Sequence, residues 1–446
     1  MKINRILAAA TILAAAIPAF AGTAEAKTKI TWWHAMGGEL GQKLDQIVAD
    51  YNKSQDKYQV VATYKGSYPE TMTAAIAAFR AHQQPDIVQV FEVGTGTMMA
   101  AKGAIYPVYK LMKDTNEPFD PKSYLQAVVG YYSDANGNML SFPFNSSTPI
   151  VYYNKDEFKK AGLDPDQAPK TWADVVSDSK KLMDSGAAKC GFTSGWISWV
   201  QTENFSAWHN QPIGTLQNGI GGMDARLTYA KDKALVRHWD NLAKWQKSHV
   251  FEYGGPVGGN DAPPKFYSGE CAIYMNSSGS LAGVLANAKG KFDVGYGMLP
   301  YYADVKGAPQ NSIIGGATLW VLQGHSKEEY KGVADFLHYL SSPEVQADWH
   351  QFSGYLPITY AAYELGKKQG YYKKNPGAEV GIKQMTLNPP TDNSKGLRFG
   401  NYTQVRDIID DEFQKLLAGK EDAQQALDNV DSRGNKLIAQ FEEANK

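Results

Sequence analysis

The first third of the chain alternates between two spacings of apolar residues. Bulky residues alternate with polar ones or form short β-branched runs at Thr28–Trp33, Tyr58–Thr63 and Ile87–Phe91, which predicts three strands. Between them, apolar residues recur at helical spacing over Leu40–Tyr51 and again in the alanine-rich stretch Met72–His82. This order of strands and helices predicts parallel βαβ units and a doubly wound α/β lobe.

A polar segment with two prolines, Ser141–Pro149, interrupts this alternation. Pro143 and Pro149 each favour an extended conformation for the preceding residue, and Ile150–Tyr153 is typical of a short strand. We interpret the segment as a crossing between two lobes that places hydroxyl groups on the floor of a cleft. An ordinary surface loop is the alternative.

Two later segments have the same extended character. Gln310–Ala317 precedes the apolar run Leu319–Leu322, and Gly354–Ile358 follows a predicted helix over Glu328–Leu340. We interpret them as a second and a third crossing, so the chain is expected to pass between its lobes more than once.

The length, charge and aromatic content of the chain indicate which kinds of protein it can be. A chain of 446 residues suits two lobes better than one small core. The formal net charge is −1 and no basic patch stands out, which argues against nucleic-acid binding. Aromatic residues make up 12% of the chain and suit polar ligands with a carbon skeleton.

The N-terminal segment has the features of a secretory signal peptide. Lys2 and Arg5 are followed by the apolar run Ile6–Ile17, which is too short to span a bilayer. We favour cleavage after Ala26, because a predicted strand begins at once. The mature protein, with no cysteine for a lipid anchor after the apolar run, is expected to be soluble and periplasmic.

Two cysteines, Cys190 and Cys271, are present. They could form a disulfide in an oxidising compartment or remain a buried free pair, and the sequence leaves both open.

Polar residues follow several predicted strands. Glu92 follows the third strand, Ser277 and Ser278 follow a later strand that ends at Met275, and Tyr68 lies in a predicted turn after the second strand. Because α/β lobes bind ligands at the carboxyl ends of their strands, these residues are candidates for ligand contacts. A solvated carboxylate and plain helix capping are the alternatives for Glu92 and the serines.

The remaining candidates for ligand contacts are an arginine, two tryptophans and a glycine, and the arginine and the tryptophans can also be explained without a ligand. Arg406 is either a surface charge on one of the last helices or a bidentate clamp for a phosphate or carboxylate. Trp196 and Trp199 are either a stacking platform or core residues. Gly316 would allow a ligand to approach the backbone closely.

Enzyme motifs are missing from the sequence. It contains no Walker A run, no complete GxGxxG and no GxSxG elbow, and its His residues show no metal-ligand spacing. We therefore expect no catalytic residues, no cofactor and no metal. A glycosidase pair of carboxylates stays open, since folding alone brings such pairs together.

The order of these elements resembles a known family, the solute-binding proteins of ATP-driven importers, which includes the maltose binders. The motifs behind the resemblance are Ile30–His34, Pro85–Ile87, Val151–Asn154 and Phe266–Ala272. More narrowly, the chain is similar to the members that bind sn-glycerol-3-phosphate, on the stretches Thr63–Gly66, Glu92–Thr95, Pro143–Pro149, Glu203–Trp208, Ile313–Ala317 and Gly354–Thr359.

The resemblance implies a set of ligand contacts: Tyr68, Glu92, Ser147, Trp196, Ser277, Gly316, Tyr355 and Arg406. It implies that Arg406, the hydroxyl groups and the Gly316 N–H donate to the phosphate. Glu92 would accept from the glycerol hydroxyls, and Trp196 would pack on the three-carbon stem.

The resemblance also implies a two-lobe periplasmic-binding-protein fold of type II, with hinge crossings. The expected N-terminal lobe comprises residues 27–143 and 312–355, and the C-terminal lobe comprises residues 144–311 and 356–446. A monomer that binds glycerol-3-phosphate or a glycerophosphodiester, such as glycerophosphocholine, would deliver it to the permease subunits of an ABC transporter. The rivals are a sugar or oligosaccharide binder, a secreted hydrolase and, more remotely, a tyrosine site for iron.

Overall fold

A computed structural model gives the structure of the protein and describes residues 26–101, 103–256 and 261–446. The predicted signal peptide, residues 1–26, lies almost wholly outside the described residues. Within the described ranges, no helix combines the length and the apolar character that crossing a membrane requires.

The strands of the described residues form two mixed sheets. The first has six strands in the order β2-β1-β3-β11-β4, with the sixth, β5, paired with β11, and the second has five strands in the order β10-β6-β9-β7-β8. The strand bounds are β1 Thr28–His34, β2 Tyr58–Tyr64, β3 Ile87–Phe91, β4 Ile105–Tyr106, β5 Phe142–Ser147, β6 Pro149–Asn154, β7 Cys190–Ser194, β8 Phe251–Tyr253, β9 Cys271–Ser277, β10 Val294–Gly297 and β11 Gly315–Leu322.

The first three strands are parallel, as predicted, and β11 joins them antiparallel to β3. The longer helices are Gly38–Ser54, Tyr68–Arg80, Val108–Thr115, Trp172–Asp184, Lys233–Lys247, Leu281–Ala288, Lys327–Leu340, Pro343–Ser353, Tyr360–Lys368, Tyr402–Leu417 and Ala423–Asn445. Shorter ones are Thr95–Ala100, Gln126–Tyr132, Lys155–Lys160, Asn204–Trp208, Ala262–Tyr267, Tyr371–Lys374 and Val380–Met385, and Ser198–Glu203 is a π-helix.

Local sequence explains where several helices begin. Thr171 and Ser326 each form a capping box with the acidic residue three positions later, which satisfies backbone N–H groups that a helix start leaves unpaired. Ser67 does the same with Glu70. The prediction of a turn around Tyr68 was therefore wrong: Tyr68 is the first residue of a helix, and the capping box starts that helix earlier than apolar spacing suggested.

The polar segment with two prolines connects the two sheets. Strand β5 belongs to the first sheet and β6 to the second, and only Thr148 separates them. Ser141–Pro149 is buried throughout, so the interpretation as a crossing is confirmed and the surface-loop alternative is wrong. The second crossing enters the first sheet at β11. The third contacts the first crossing, because Leu356 N donates to Ser146 O at 2.7 Å.

The two cysteines form a disulfide. Cys190 and Cys271 begin the neighbouring parallel strands β7 and β9 and are partners in register, with their Cα atoms 4.6 Å apart. The pairing depends on the order of strands within the second sheet, which explains why the sequence left it open.

Candidate functional site

A cavity of about 210 Å³ lies where the first crossing passes from one sheet to the other. Its walls contain all eight residues that the resemblance implied: Tyr68, Glu92, Ser147, Trp196, Ser277, Gly316, Tyr355 and Arg406. The remaining lining residues are Leu40, Phe91, Trp199, Asn276, Gly279 and Ser280. The structure thus brings the whole predicted set together, and its role in binding stays a prediction.

Strand ends and helix starts supply most of these side chains. Ser147 ends β5, Ser277 ends β9 and Glu92 comes directly after β3. Tyr68 begins a helix, and Arg406 lies near the start of Tyr402–Leu417. In both sheets these residues therefore lie beyond the carboxyl ends of strands, which is where α/β lobes usually bind their ligands.

Arg406 is the centre of a buried charge cluster. Its Nε and Nη2 donate to the two carboxylate oxygens of Glu203 at 2.8 and 2.6 Å, and Nη2 also donates to Glu92 Oε1 at 2.6 Å. The exposed fractions are 2% for Arg406, 4% for Glu92 and 0% for Glu203. The surface-charge alternative for Arg406 is therefore wrong, and the Nε–Nη2 edge that would clamp an anion is occupied by Glu203.

The cluster shifts the pKa of each member. Burial raises the pKa of Glu92 and of Glu203, and Arg406 opposes that effect in both. Burial alone would lower the pKa of Arg406, but Glu203 and Glu92 hold it well above its usual value. Arg406 therefore stays charged, and if both acids are ionised the cluster has a net charge of −1.

Neutral groups form another part of the cavity wall. The Asn145 amide donates to the Tyr68 hydroxyl at 2.8 Å, and Gln89 donates to the Asn145 carbonyl at 2.7 Å. This chain of hydrogen bonds fixes the Tyr68 hydroxyl and orients it as a donor. Tyr68 also stacks on Phe91 with 5.5 Å between ring centroids.

Glycine is required at two points of the wall. Gly316 has a φ of +89°, and a Cβ there would overlap the carbonyl oxygen of Asn145. A Cβ on Gly279 would lie 2.6 Å from Cε1 of Tyr355. Because both positions are glycines, the backbone at Gly316 and Gly279 and the ring of Tyr355 can all lie in the cavity wall.

The two tryptophans occupy different positions. Trp199 is buried and its Nε1 donates to the Ile314 carbonyl, so it is a core residue that forms part of the wall. Trp196 is half-buried and has a φ of +51°, which is rare for a bulky side chain and strains the backbone. Its side chain forms part of the cavity wall.

Glu203 is the residue that sequence reasoning missed. It was quoted only within the motif Glu203–Trp208, with no role assigned. One signal was present in the sequence: an aromatic stretch is usually buried, and a carboxylate that is buried with it needs a cation as partner. The sequence could not identify that cation as Arg406, which lies in a distant helix.

The chain matches the model of a family described as bacterial extracellular solute-binding protein over residues 46–380. It belongs to this family. The solute-binding protein is 52% identical over 428 residues to the sn-glycerol-3-phosphate-binding periplasmic protein UgpB of Yersinia pseudotuberculosis, covering 96% of each chain. It is 51% identical over 429 residues to UgpB of Salmonella typhimurium, again covering 96% of each chain.

Solved structures share the fold of this solute-binding protein. UgpB from Mycobacterium tuberculosis, in complex with glycerophosphocholine, superposes with a TM-score of 0.78 at 21% identity, covering 93% of this chain and 99% of that one. The GacH receptor of Streptomyces glaucescens gives 0.76 at 18% identity, with the same coverage. The predicted two-lobe fold of type II is confirmed, as are the periplasmic location and the prediction of a binding protein instead of an enzyme.

Proposed function

We propose that this solute-binding protein captures sn-glycerol-3-phosphate and delivers it to the membrane permease of an ABC importer. The observation that carries the proposal is a small cavity with two chemically different parts. One part of the wall is formed by Arg406 and Glu92, with Glu203 paired to Arg406 outside the lining, and the other part is formed by neutral donors. The names of the relatives at about half identity support the same ligand.

The charges indicate which part of the cavity holds the phosphate. A phosphate beside Glu92 and Glu203 would be repelled, because two carboxylates outweigh one guanidinium in a low-dielectric site. The hydroxyls of Ser147, Ser277 and the tyrosines, together with the Gly316 N–H, carry no charge and can all donate. We therefore assign the phosphate to these groups, and this assignment moves Arg406 away from the phosphate donors with which it was first grouped.

The charged part suits the glycerol hydroxyls. Glu92 has a carboxylate oxygen that can accept from a hydroxyl, and Arg406 keeps Nη1, which donates to no group among the described residues. A diol needs such a paired acceptor and donor. Trp196 covers the carbon stem that joins the two parts.

The size of the cavity favours a short ligand. Sites for drug-sized ligands have volumes of about 300–1,000 Å³, and this one has about 210 Å³. An oligosaccharide would require a wider site. A glycerophosphodiester remains the second candidate, because it shares the glycerol phosphate group and because glycerophosphocholine is bound by a protein of the same fold.

Both sheets contribute to the wall, so a ligand would hold the two lobes together and favour a closed state. For this closure we propose the expected lobes, residues 27–143 with 312–355 and residues 144–311 with 356–446, except that the first limit moves to Thr148, because β5 extends to Ser147 and belongs to the first sheet.

The test is calorimetry on the mature protein with glycerol-3-phosphate, glycerophosphocholine, glycerol, inorganic phosphate and maltose. We expect one-to-one binding of glycerol-3-phosphate, no binding of maltose and no release of phosphate. Tyr355→Phe removes one donor to a charged acceptor, worth about 1.5–3 kcal/mol, so the affinity should fall about 10- to 100-fold. Tyr360→Phe, at an exposed tyrosine outside the cavity, is the matched control.

Three results would contradict the proposal. No heat up to millimolar glycerol-3-phosphate would remove the ligand assignment, and tighter binding of glycerophosphocholine would select the second candidate. Equal effects of the two tyrosine variants would show that the ligand binds somewhere other than this cavity.

A further inference from the structure

A second cluster of ligating side chains lies at the opposite end of the first sheet from the cavity. Asp86 directly precedes β3, and His325 follows the end of β11, which runs antiparallel to β3. Glu92 and Gly316, which line the cavity, are at the other ends of these two strands. A carboxylate of Glu329 completes the cluster, and the three ligand atoms lie within 4.8 Å of one another.

Among the described residues, one carboxylate oxygen of Asp86 accepts hydrogen bonds and the other accepts none. Its Oδ2 accepts from the backbone N of Thr31 at 2.8 Å and from the Thr31 hydroxyl at 2.6 Å. Its Oδ1 is buried and has no hydrogen-bond partner among the described residues, although the whole side chain is only 2% exposed. A cation, or an ordered water, would satisfy a buried carboxylate oxygen in this state.

The group that faces this oxygen is a nitrogen of His325. Nδ1 lies 3.3 Å from Asp86 Oδ1, and Nε2 lies 3.1 Å from the carbonyl oxygen of Pro85. Because a carbonyl can only accept, Nε2 donates this hydrogen bond, which leaves Nδ1 as the ring nitrogen that can ligate an ion. A cation between Nδ1 and the carboxylate oxygen would be ligated by both.

The distance fits a metal ion better than a shared proton. A charge-assisted N–H···O bond spans about 2.7–2.9 Å. Two ligands of a tetrahedral Zn²⁺ with bonds of about 2.0–2.1 Å are separated by about 3.3–3.4 Å. The Nδ1–Oδ1 distance of 3.3 Å equals that separation.

We propose that Asp86, His325 and Glu329 form a divalent transition-metal site, best suited to Zn²⁺, with water as the remaining ligand. One imidazole and two carboxylates are ligands that Zn²⁺ accepts. The Nε2–H···O bond to Pro85 is the outer contact that usually fixes the orientation of a ligating histidine. The bound ion would join the start of β3 to the first turn of the helix Lys327–Leu340.

The test uses untagged mature protein treated with EDTA and then titrated with ZnCl₂ by calorimetry and thermal unfolding. We expect one equivalent of Zn²⁺ to bind and to raise the unfolding temperature, because the ion binds only the folded chain. His325→Gln and Glu329→Gln should each weaken binding at least tenfold, whereas His338→Gln, at an exposed histidine of the same helix, should not. Co²⁺ should give the intense visible absorption of a tetrahedral site in the wild type and not in His325→Gln.

The absence of saturable Zn²⁺ binding to folded wild-type protein would overturn the proposal. Unchanged binding in both His325→Gln and Glu329→Gln would also overturn it, since the ion would then sit elsewhere. Circular dichroism confirms that each variant folds. Glycerol-3-phosphate affinity, measured in parallel, is expected to be the same with and without Zn²⁺, so the outcome is independent of the proposed function.

Discussion

Arg406→Met would leave two carboxylates buried without their cation. The methionine keeps most of the apolar stem and removes the guanidinium that donates to Glu203 and Glu92. Burial already raises the pKa of both acids while Arg406 opposes it. In the variant that opposition is gone, so we expect both groups to be protonated in the folded state at neutral pH.

The size of the effect follows from proton linkage. A carboxyl group whose pKa is raised by folding contributes stability below its unfolded pKa, and that contribution is lost as the pH rises through its folded pKa. Each group protonated in the folded state and ionised in the unfolded state changes the free energy of unfolding by about 1.4 kcal/mol per pH unit. Two such groups give about 2.7 kcal/mol per unit, so the variant should lose about 5 kcal/mol between pH 5.5 and 7.5.

Urea unfolding at several pH values measures this loss. Arg398→Met is the control, because Arg398 donates to the backbone carbonyls of Gly130 and Tyr131, so its removal leaves no buried acid without its cation. Replacing Glu92 and Glu203 by Gln in the Arg406→Met background should abolish the extra slope. If the stability of Arg406→Met runs parallel to that of the wild type across this range, the reasoning about the buried cluster is wrong.

Three further changes test other parts of the structure. Gly316→Ala should abolish ligand-induced tryptophan fluorescence changes, because the added Cβ would overlap the Asn145 carbonyl oxygen. If the variant binds with wild-type affinity, the backbone at Gly316 does not approach Asn145 this closely. Replacing Cys190 and Cys271 by serine opens a link between residues 81 positions apart, which should lower the free energy of unfolding by about 4 kcal/mol in urea titrations; an unchanged midpoint would argue against the disulfide. Trp196→Ala should weaken glycerol-3-phosphate binding about tenfold in calorimetry. An unchanged affinity would show that Trp196 does not pack on the carbon stem of the ligand.

The sequence predicted most of the fold because local patterns determine it. Alternation and helical spacing identified the three parallel strands and the helices between them, and the prolines at 143 and 149 identified the crossing. The eight candidate site residues came from resemblance, since position beyond a strand end could not separate Glu92 from a solvated carboxylate. The structure places them around one cavity.

Long-range pairings were beyond sequence reasoning. The partner of Arg406, the cysteine pairing and the approach of His325 to Asp86 all depend on which strands become neighbours. No local pattern encodes these distances, because each joins segments that only the complete fold brings together.

The single residue between β5 and β6 has a mechanical consequence. Thr148 is followed by Pro149, whose ring fixes φ, so the direct path between the sheets contains very few rotatable bonds. The Thr148 hydroxyl also donates to the Ile313 carbonyl at 3.0 Å and shares a hydrogen bond of 2.7 Å with the Ser312 hydroxyl, which joins the first crossing to the second. The two crossings are therefore joined into one stiff connection between the sheets. Ser147, a proposed ligand contact, lies directly beside this connection, where a rotation of the lobes would displace a bound solute least.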